Sequence, residues 1–280
     1  MELFDFFKAR KISETINATF TFIRQEFEAM GKSILFIVGP LMLVSAIVSD
    51  SFIGDQFSAT PEFLLSADYW ASIGILSFVQ LAIYALLILV INNYILLYIK
   101  NDDSRYNVLT IFRMSAQGFG KLLGITIVFT IFIVIAFMVF FIPGVYFSVS
   151  LSLLYTVIIH EKITMGNAFI RSAYLIRDYW WFTFGLLILI WIIVYVLQMV
   201  FQAPILIMSF IYEFHDAGQN IAVNYGWWIS VSSVISQLSY LFYGIFVVAT
   251  TVHYYSQREK KEAAGLAQKI EALDDNPVME

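Results

Sequence analysis

Five runs of this 280-residue chain contain no Asp, Glu, Lys or Arg: Ser33–Ser49, Tyr69–Ile99, Leu122–Ile159, Tyr179–Tyr212 and Ala217–Gln257. Runs of that length leave few folds open. A helix crosses a hydrocarbon core of about 30 Å with roughly 20 apolar residues, and only segments that satisfy their own backbone hydrogen bonds survive there. The third run, 38 residues, would reach roughly 57 Å as one helix at 1.5 Å per residue. It is too long for one crossing, and Pro143-Gly144 near its middle reads as an outward turn between two spans. Six spans are therefore expected, at about 32–50, 69–99, 120–142, 145–160, 180–211 and 227–255. Composition agrees: 60% of residues are hydrophobic and 13% charged, with mean hydropathy +0.79, where soluble domains carry about 25% charged residues.

Charge sets the expected orientation. All sixteen Lys and Arg fall in Lys8 to Lys32, Lys100 to Lys121, Lys162 to Arg177 and Arg258 to Lys269. The connections Asp50–Asp68, Pro143-Gly144 and Glu213–Gly226 contain none and carry only acids. Basic residues mark cytoplasmic loops, so both termini are expected in the cytoplasm. Tyr69-Trp70, Trp180-Trp181 and Trp227-Trp228 fall at expected span edges, where aromatic rings favour the headgroup layer. Lys8, Arg10 and Lys11 are followed by polar, periodic sequence, not by a secretory signal. The resulting division is a cytoplasmic N-terminus (1–31), a membrane domain (32–256) and a cytoplasmic tail (257–280).

Helical periodicity precedes spans one, three and five. Ile12, Ile16, Phe20, Ile23, Phe27 and Met30 recur at steps of four and three. Val108, Phe112, Ser115 and Phe119 repeat the spacing, as do Met165, Phe169, Ser172 and Ile176. Each reads as an interfacial amphipathic helix with its polar face wet. The expected fold class is thus all-α: a polytopic bundle of six transmembrane helices in three hairpins, each preceded by a cytoplasmic interfacial helix.

Little chemistry is on offer. His160-Glu161 opens like the zinc motif H-E-x-x-H, but the fifth position is Thr164, so the paired imidazole is missing. Zero cysteines exclude disulfides and thiolate sites. Glu213 to Asp216 (EFHD) reads as a solvated loop, and no metal or cofactor is expected. Glu161 reads as a helix end, or as a charged anchor with Arg171 or Arg177 that holds the following interfacial helix. The intramembrane polar residues are amides: Gln80, Asn92, Asn93, Gln198, Gln202 and Gln237. Amides there join helices or line a cavity for a headgroup or small solute. With no charged residue inside the spans, an ion-coupled pump is disfavoured. The tail, with Leu266, Ile270 and Leu273 on one side and Pro277 as a stop, reads as a short docking helix.

The stretch FFIPGVYFSVSLSLLYTVIIHEKITMGNAFIRSAYLIRDYWWFTFG resembles the membrane domain of glycerophosphoryl diester phosphodiesterases and its stand-alone six-span bacterial relatives of Bacteroidota type. The shared elements are Ile142-Pro143-Gly144 at a turn, a span ending in Glu161, Ala168 with Arg171-Ser172, and Trp180-Trp181. The family's hydrolytic activity belongs to a separate barrel domain with metal-binding residues. No such cluster stands in this sequence, so the resemblance implies the membrane part without the enzyme. The leading expectation is a non-enzymatic scaffold or accessory subunit, with membrane lipids around it and protein partners on its cytoplasmic helices and tail, and no nucleic acid. The rival is a transporter or lateral-access binder of a lipid or other amphiphile. An amide-lined opening at Asn92, Gln198, Gln202 or Gln237 would favour the rival.

Overall fold

The computed structural model describes residues 4–57, 65–214 and 221–263, and these are predominantly helical, with no strand among them. Six stretches are long and apolar enough to cross a membrane: Phe27–Ser49, Ala67–Ile99, Val108–Val139, Phe141–Glu161, Met165–Pro204 and Ser230–Glu262. The tail helix expected around Leu266 to Leu273, His215 and Asp216 of the EFHD loop, and parts of the connections after Ser49 and Glu213 lie outside the described residues.

Helix α1 (Ile12–Gln25) starts where Glu14 accepts the Lys11 amide at 3.0 Å and ends at Glu26. Its buried stripe is Thr15, Thr19 and Phe22, while Phe20 and Phe27 are exposed. The expected stripe through Phe20 and Phe27 is therefore displaced around the helix. The physical reason is that lipid accepts an apolar face as readily as protein does. The threonines are short, and each returns its hydroxyl to the carbonyl four residues back (2.9 and 2.8 Å). They let α1 approach α10 closely without leaving a donor unpaired.

Helix α2 (Phe27–Phe57) contains Pro40, and helix α3 (Ala67–Ile99) is capped by Ser66, whose hydroxyl accepts the Tyr69 amide at 3.2 Å. A 3-10 turn at Asp103–Tyr106 leads to helix α4 (Val108–Val139), capped by the Asn107 side chain. Here the structure departs from expectation: no break separates an interfacial helix from its span. Gly120, the one helix-ending residue between Phe119 and Leu122, keeps a negative φ and stays helical, so the first helix runs on into the span.

The turn expected at Pro143-Gly144 lies three residues earlier. Phe140 is extended (φ −153°, ψ 129°), and helix α5 (Phe141–Ser150) begins immediately after it. Pro143 occupies the first turn of α5, where no backbone donor has an intrahelical partner, so its missing N–H costs nothing. Gly144 serves close approach: a Cβ there would stand 2.7 Å from the Phe137 ring of α4.

The chain breaks again at Leu151–Leu153 before helix α6 (Leu154–Glu161), which ends on Lys162 in the left-handed region (φ 53°). The carbonyl of Ser150 at this break accepts the buried hydroxyl of Ser172 at 2.8 Å. Helix α7 (Met165–Ile176) buries Ala168, Ser172, Leu175 and Ile176, close to the expected face. After a 3-10 turn at Arg177–Tyr179 come α8 (Trp180–Phe214, with Pro204 inside), α9 (Ile221–Leu238), a 3-10 turn at Ser239–Phe242, and α10 (Tyr243–Glu262). The core is built on α3 and α10, whose buried side chains run without interruption from Leu87 to Ile95 and from Val247 to Gln257.

Candidate functional site

The segments rich in Lys and Arg meet at one end of the bundle, called here the basic end. Phe4 donates its amide to the Tyr98 hydroxyl at 2.6 Å, and Glu26 accepts the Tyr94 hydroxyl. Arg10 is buried and donates to the carbonyls of Asp5, Phe6 (3.0 Å) and Lys8 (3.2 Å), while its amide reaches Ser256 Oγ at 2.9 Å. Burial pushes the Arg10 guanidinium below its ordinary pKa, against the opposing pull of Asp5 and Glu14. The N-terminal segment is thereby pinned to α10.

Beside it lies a two-carboxylate clamp. Arg171 Nε on α7 donates to both oxygens of Glu161 at the end of α6, each at 3.0 Å. Its two terminal nitrogens grip Glu262 at the end of α10, one of them at 2.9 Å. Tyr254 donates to Glu161 at 2.8 Å, and Arg258 approaches Glu262 at 3.5 Å. A guanidinium can serve two carboxylates at once because its donors lie in a rigid plane. The anchor expected at Glu161 thus involves Arg171. Arg177 is exposed and takes no part, and Glu262 went unnoticed in the sequence because it is 91 residues away.

Next to Glu161, His160 joins three helices. Its Nε2 lies 2.9 Å from Asn92 Oδ1, and its Nδ1 lies 2.6 Å from the Tyr255 hydroxyl. Asn92 Nδ2 is already spent on the Ile88 carbonyl (2.9 Å), so Oδ1 is the acceptor, Nε2 carries the proton, and Nδ1 accepts from Tyr255. Thr251 adds a donor to Asn92 at 3.1 Å. With both ring nitrogens engaged, this imidazole is a structural joint. The pattern that singled out His160-Glu161 marked a real cluster, but of hydrogen bonds. Among the described residues no group of three or more His, Asp or Glu is placed to hold a metal ion.

The amides divide by place. Asn93 donates to Ser115 at 3.2 Å, and Gln198 is buried against the Ser239 carbonyl at 3.5 Å. Gln202 is exposed. Gln237 and Gln80 line a cleft of about 600 Å³ with Ser49, Ser77, Tyr84 and Tyr240. Within it Gln80 Nε2 donates to Gln237 Oε1 and Ser45 Oγ (both 3.1 Å), and Gln237 Nε2 donates to Ser49 at 3.0 Å. Gln80 Oε1 has no partner. Ser77 is exposed and marks the mouth. Of the four amides expected at an opening, Gln237 is there; Asn92 and Gln198 are spent on packing. No family model matches the chain, and no curated protein or solved structure is significantly similar to it.

Proposed function

We propose that the protein is a non-enzymatic, lateral-access binder of a membrane amphiphile, seated in a bacterial cytoplasmic membrane with both termini inside. The observation that carries this reading is the cleft at Gln80 and Gln237. Its volume falls in the range of small-molecule sites, roughly 300–1,000 Å³. It joins convergent amides to aliphatic walls, an arrangement that suits a polar head with an apolar chain. The scaffold reading has less support. Helices α1 and α7, whose faces were to receive partners, turn Phe22, Leu175 and Ile176 onto the bundle itself.

In this proposal the six spans form three hairpins with the basic end in the cytoplasm, and α1 and α7 lie along the inner interface. The likeness to the membrane domain of glycerophosphoryl diester phosphodiesterases is kept as part of it. Two residues that carry that likeness have jobs such a domain needs: Arg171 ties α7 to its neighbours, and Ser172 caps the broken fourth span. Orientation is checked with cysteines at Ser58 and Gly218, expected to react with an impermeant thiol reagent on intact spheroplasts, against cysteines at Ser104 and Ala264, expected to stay silent.

Binding is tested by lipid analysis of the protein purified in mild detergent, beside the double variant Gln80→Leu/Gln237→Leu. One amphiphile should co-purify with the parent and be lost from the variant. Identical lipid content in two folded proteins would remove the cleft as the site.

A further inference from the structure

Two openings in the bundle meet at one side chain. The first is the amide cleft. The second, about 850 Å³, lies among α4, α5, α6 and α8 and is walled by Phe129, Phe141, Tyr155 and Trp191. Tyr84 lines both. Its ring stands edge-on to Tyr243 on the cleft side, centroids 6.0 Å apart, and to Tyr155 on the chamber side at 6.2 Å. Tyr84 thus stands between the two linings, held by one ring contact on each side.

The linings differ in kind. Serines, glutamines and tyrosine hydroxyls gather in the cleft, whereas the chamber is aromatic and aliphatic apart from Ser148, Ser152 and the tyrosine rims. Neither lining contains an Asp, Glu, Lys or Arg. Each includes a residue with a buried polar atom that lacks a partner: Gln80 Oε1 beside the cleft and Ser152 Oγ beside the chamber.

We infer that the two openings are the head and chain sites of one ligand, an uncharged amphiphile with a hydroxyl-bearing head in the cleft and an aliphatic chain that passes Tyr84 into the chamber. This rests on the reading of the cleft as an amphiphile site. A phosphate or carboxylate head would bring a charge out of water with no counter-cation in the lining, a cost that nothing there offsets. A hydroxyl loses less on entering and can pair with the serine and glutamine groups of the cleft. The chain gains wall contacts at Phe129 and Trp191 that a cleft-only ligand would forgo.

The experiment uses the full protein in phosphatidylcholine nanodiscs and a monoacylglycerol with a diazirine at the end of its acyl chain. A second probe carries the diazirine next to the head, and a third is phosphatidylglycerol with the same tagged chain. Crosslinked peptides are read by mass spectrometry. The chain-end probe should label the segments around Phe129 and Trp191, the head probe those around Gln80 and Gln237, and phosphatidylglycerol neither above one-tenth of that level. Tyr84→Trp should cut chamber labelling several-fold with cleft labelling unchanged, and Tyr84→Phe should label as the parent does. Should Tyr84→Trp not fold, the parent's map alone decides. Cleft labelling without chamber labelling overturns the single-ligand inference and leaves the cleft reading standing. Labelling of neither overturns both, and equal labelling by phosphatidylglycerol overturns the uncharged class.

Discussion

Helix α3 passes through two kinds of surroundings. From Ala82 to Tyr98 nearly every side chain is buried; from Ala67 to Gln80 none is. The same contrast divides the molecule. At the basic end, charges and hydroxyls from α1, α3, α6, α7 and α10 are shared out among named partners. Away from it, Phe141, Ile142, Trp191 and Val200 are exposed and two openings enter the bundle. Lipid tails are as apolar as leucine, so an exposed apolar side chain there loses little by leaving protein contact. A polar one at the basic end has a specific partner to lose. One half fixes the arrangement of helices, and the other can afford space.

The comparison breaks first at Arg171. Losing a buried ion-pair partner costs about 3–5 kcal/mol. The clamp side chains keep 19% to 25% of their exposure, so Arg171→Ala should cost about 2–3 kcal/mol after solvent screening. It would leave Glu161 and Glu262 facing each other, and the melting temperature in mild detergent should fall by several degrees. Arg171→Lys should lose part of this, because an ammonium cannot fork between two carboxylates. Arg177→Lys should melt with the parent. A silent Arg171→Lys would mean that the basic end is held by something else.

The joint at His160 comes next. His160→Leu would take the acceptor from the Tyr255 hydroxyl and leave Asn92 Oδ1 with Thr251 alone, at about 1–3 kcal/mol for a buried group left unsatisfied. Gln202→Leu, on an exposed face, should leave the melting temperature within error. Equal effects from the two would erase the division drawn above.

Gly144 sharpens the division by marking the tight point of the open half. Gly144→Ala should cost about 1–2 kcal/mol, since the new methyl meets the Phe137 ring and an overpacked contact must shift. Adding Phe137→Ala should restore part of the loss in thermal stability, since the Phe137 Cα would still stand 3.0 Å from the new methyl. If the single variant is already neutral, α4 and α5 are as loosely held as their surroundings.

The smallest effect is expected at Lys162. Its left-handed backbone is strained for a residue with a Cβ, and glycine trades that strain for unfolded-state entropy. Lys162→Gly should therefore raise stability by less than about 1 kcal/mol, seen as a small upward shift in denaturation. A clear loss would show that the Lys162 side chain contributes more at the basic end than its exposure indicates.

Span number was legible because twenty-residue apolar runs are a demand of bilayer thickness, whatever the neighbours. Arg171 stood among the candidate partners of Glu161 because the two are only ten residues apart, on the helices that flank one short connection. Glu262, Tyr254 and Tyr255 were not, since nothing local in QREKKE distinguishes a paired carboxylate from a solvated one. The shift from Pro143-Gly144 to Phe140 has a similar origin. Proline and glycine punctuate a helical hairpin, but proline is tolerated both in a turn and in a first helical turn, and the packing of α5 on α4 selects the second.

Sequence by itself determined that this chain is all-helical, that six segments can cross a membrane, and that basic residues cluster in a few short stretches. Each of these follows from local composition and length. Only the tertiary structure decided which face of α1 looks inward, which amides open onto a cleft, and that Tyr84 stands between two cavities. In a membrane, protein and lipid are equally hospitable to an apolar side chain, so hydrophobicity cannot tell an inward face from an outward one. Shape and hydrogen bonding tell them apart, and both depend on residues far away in the chain.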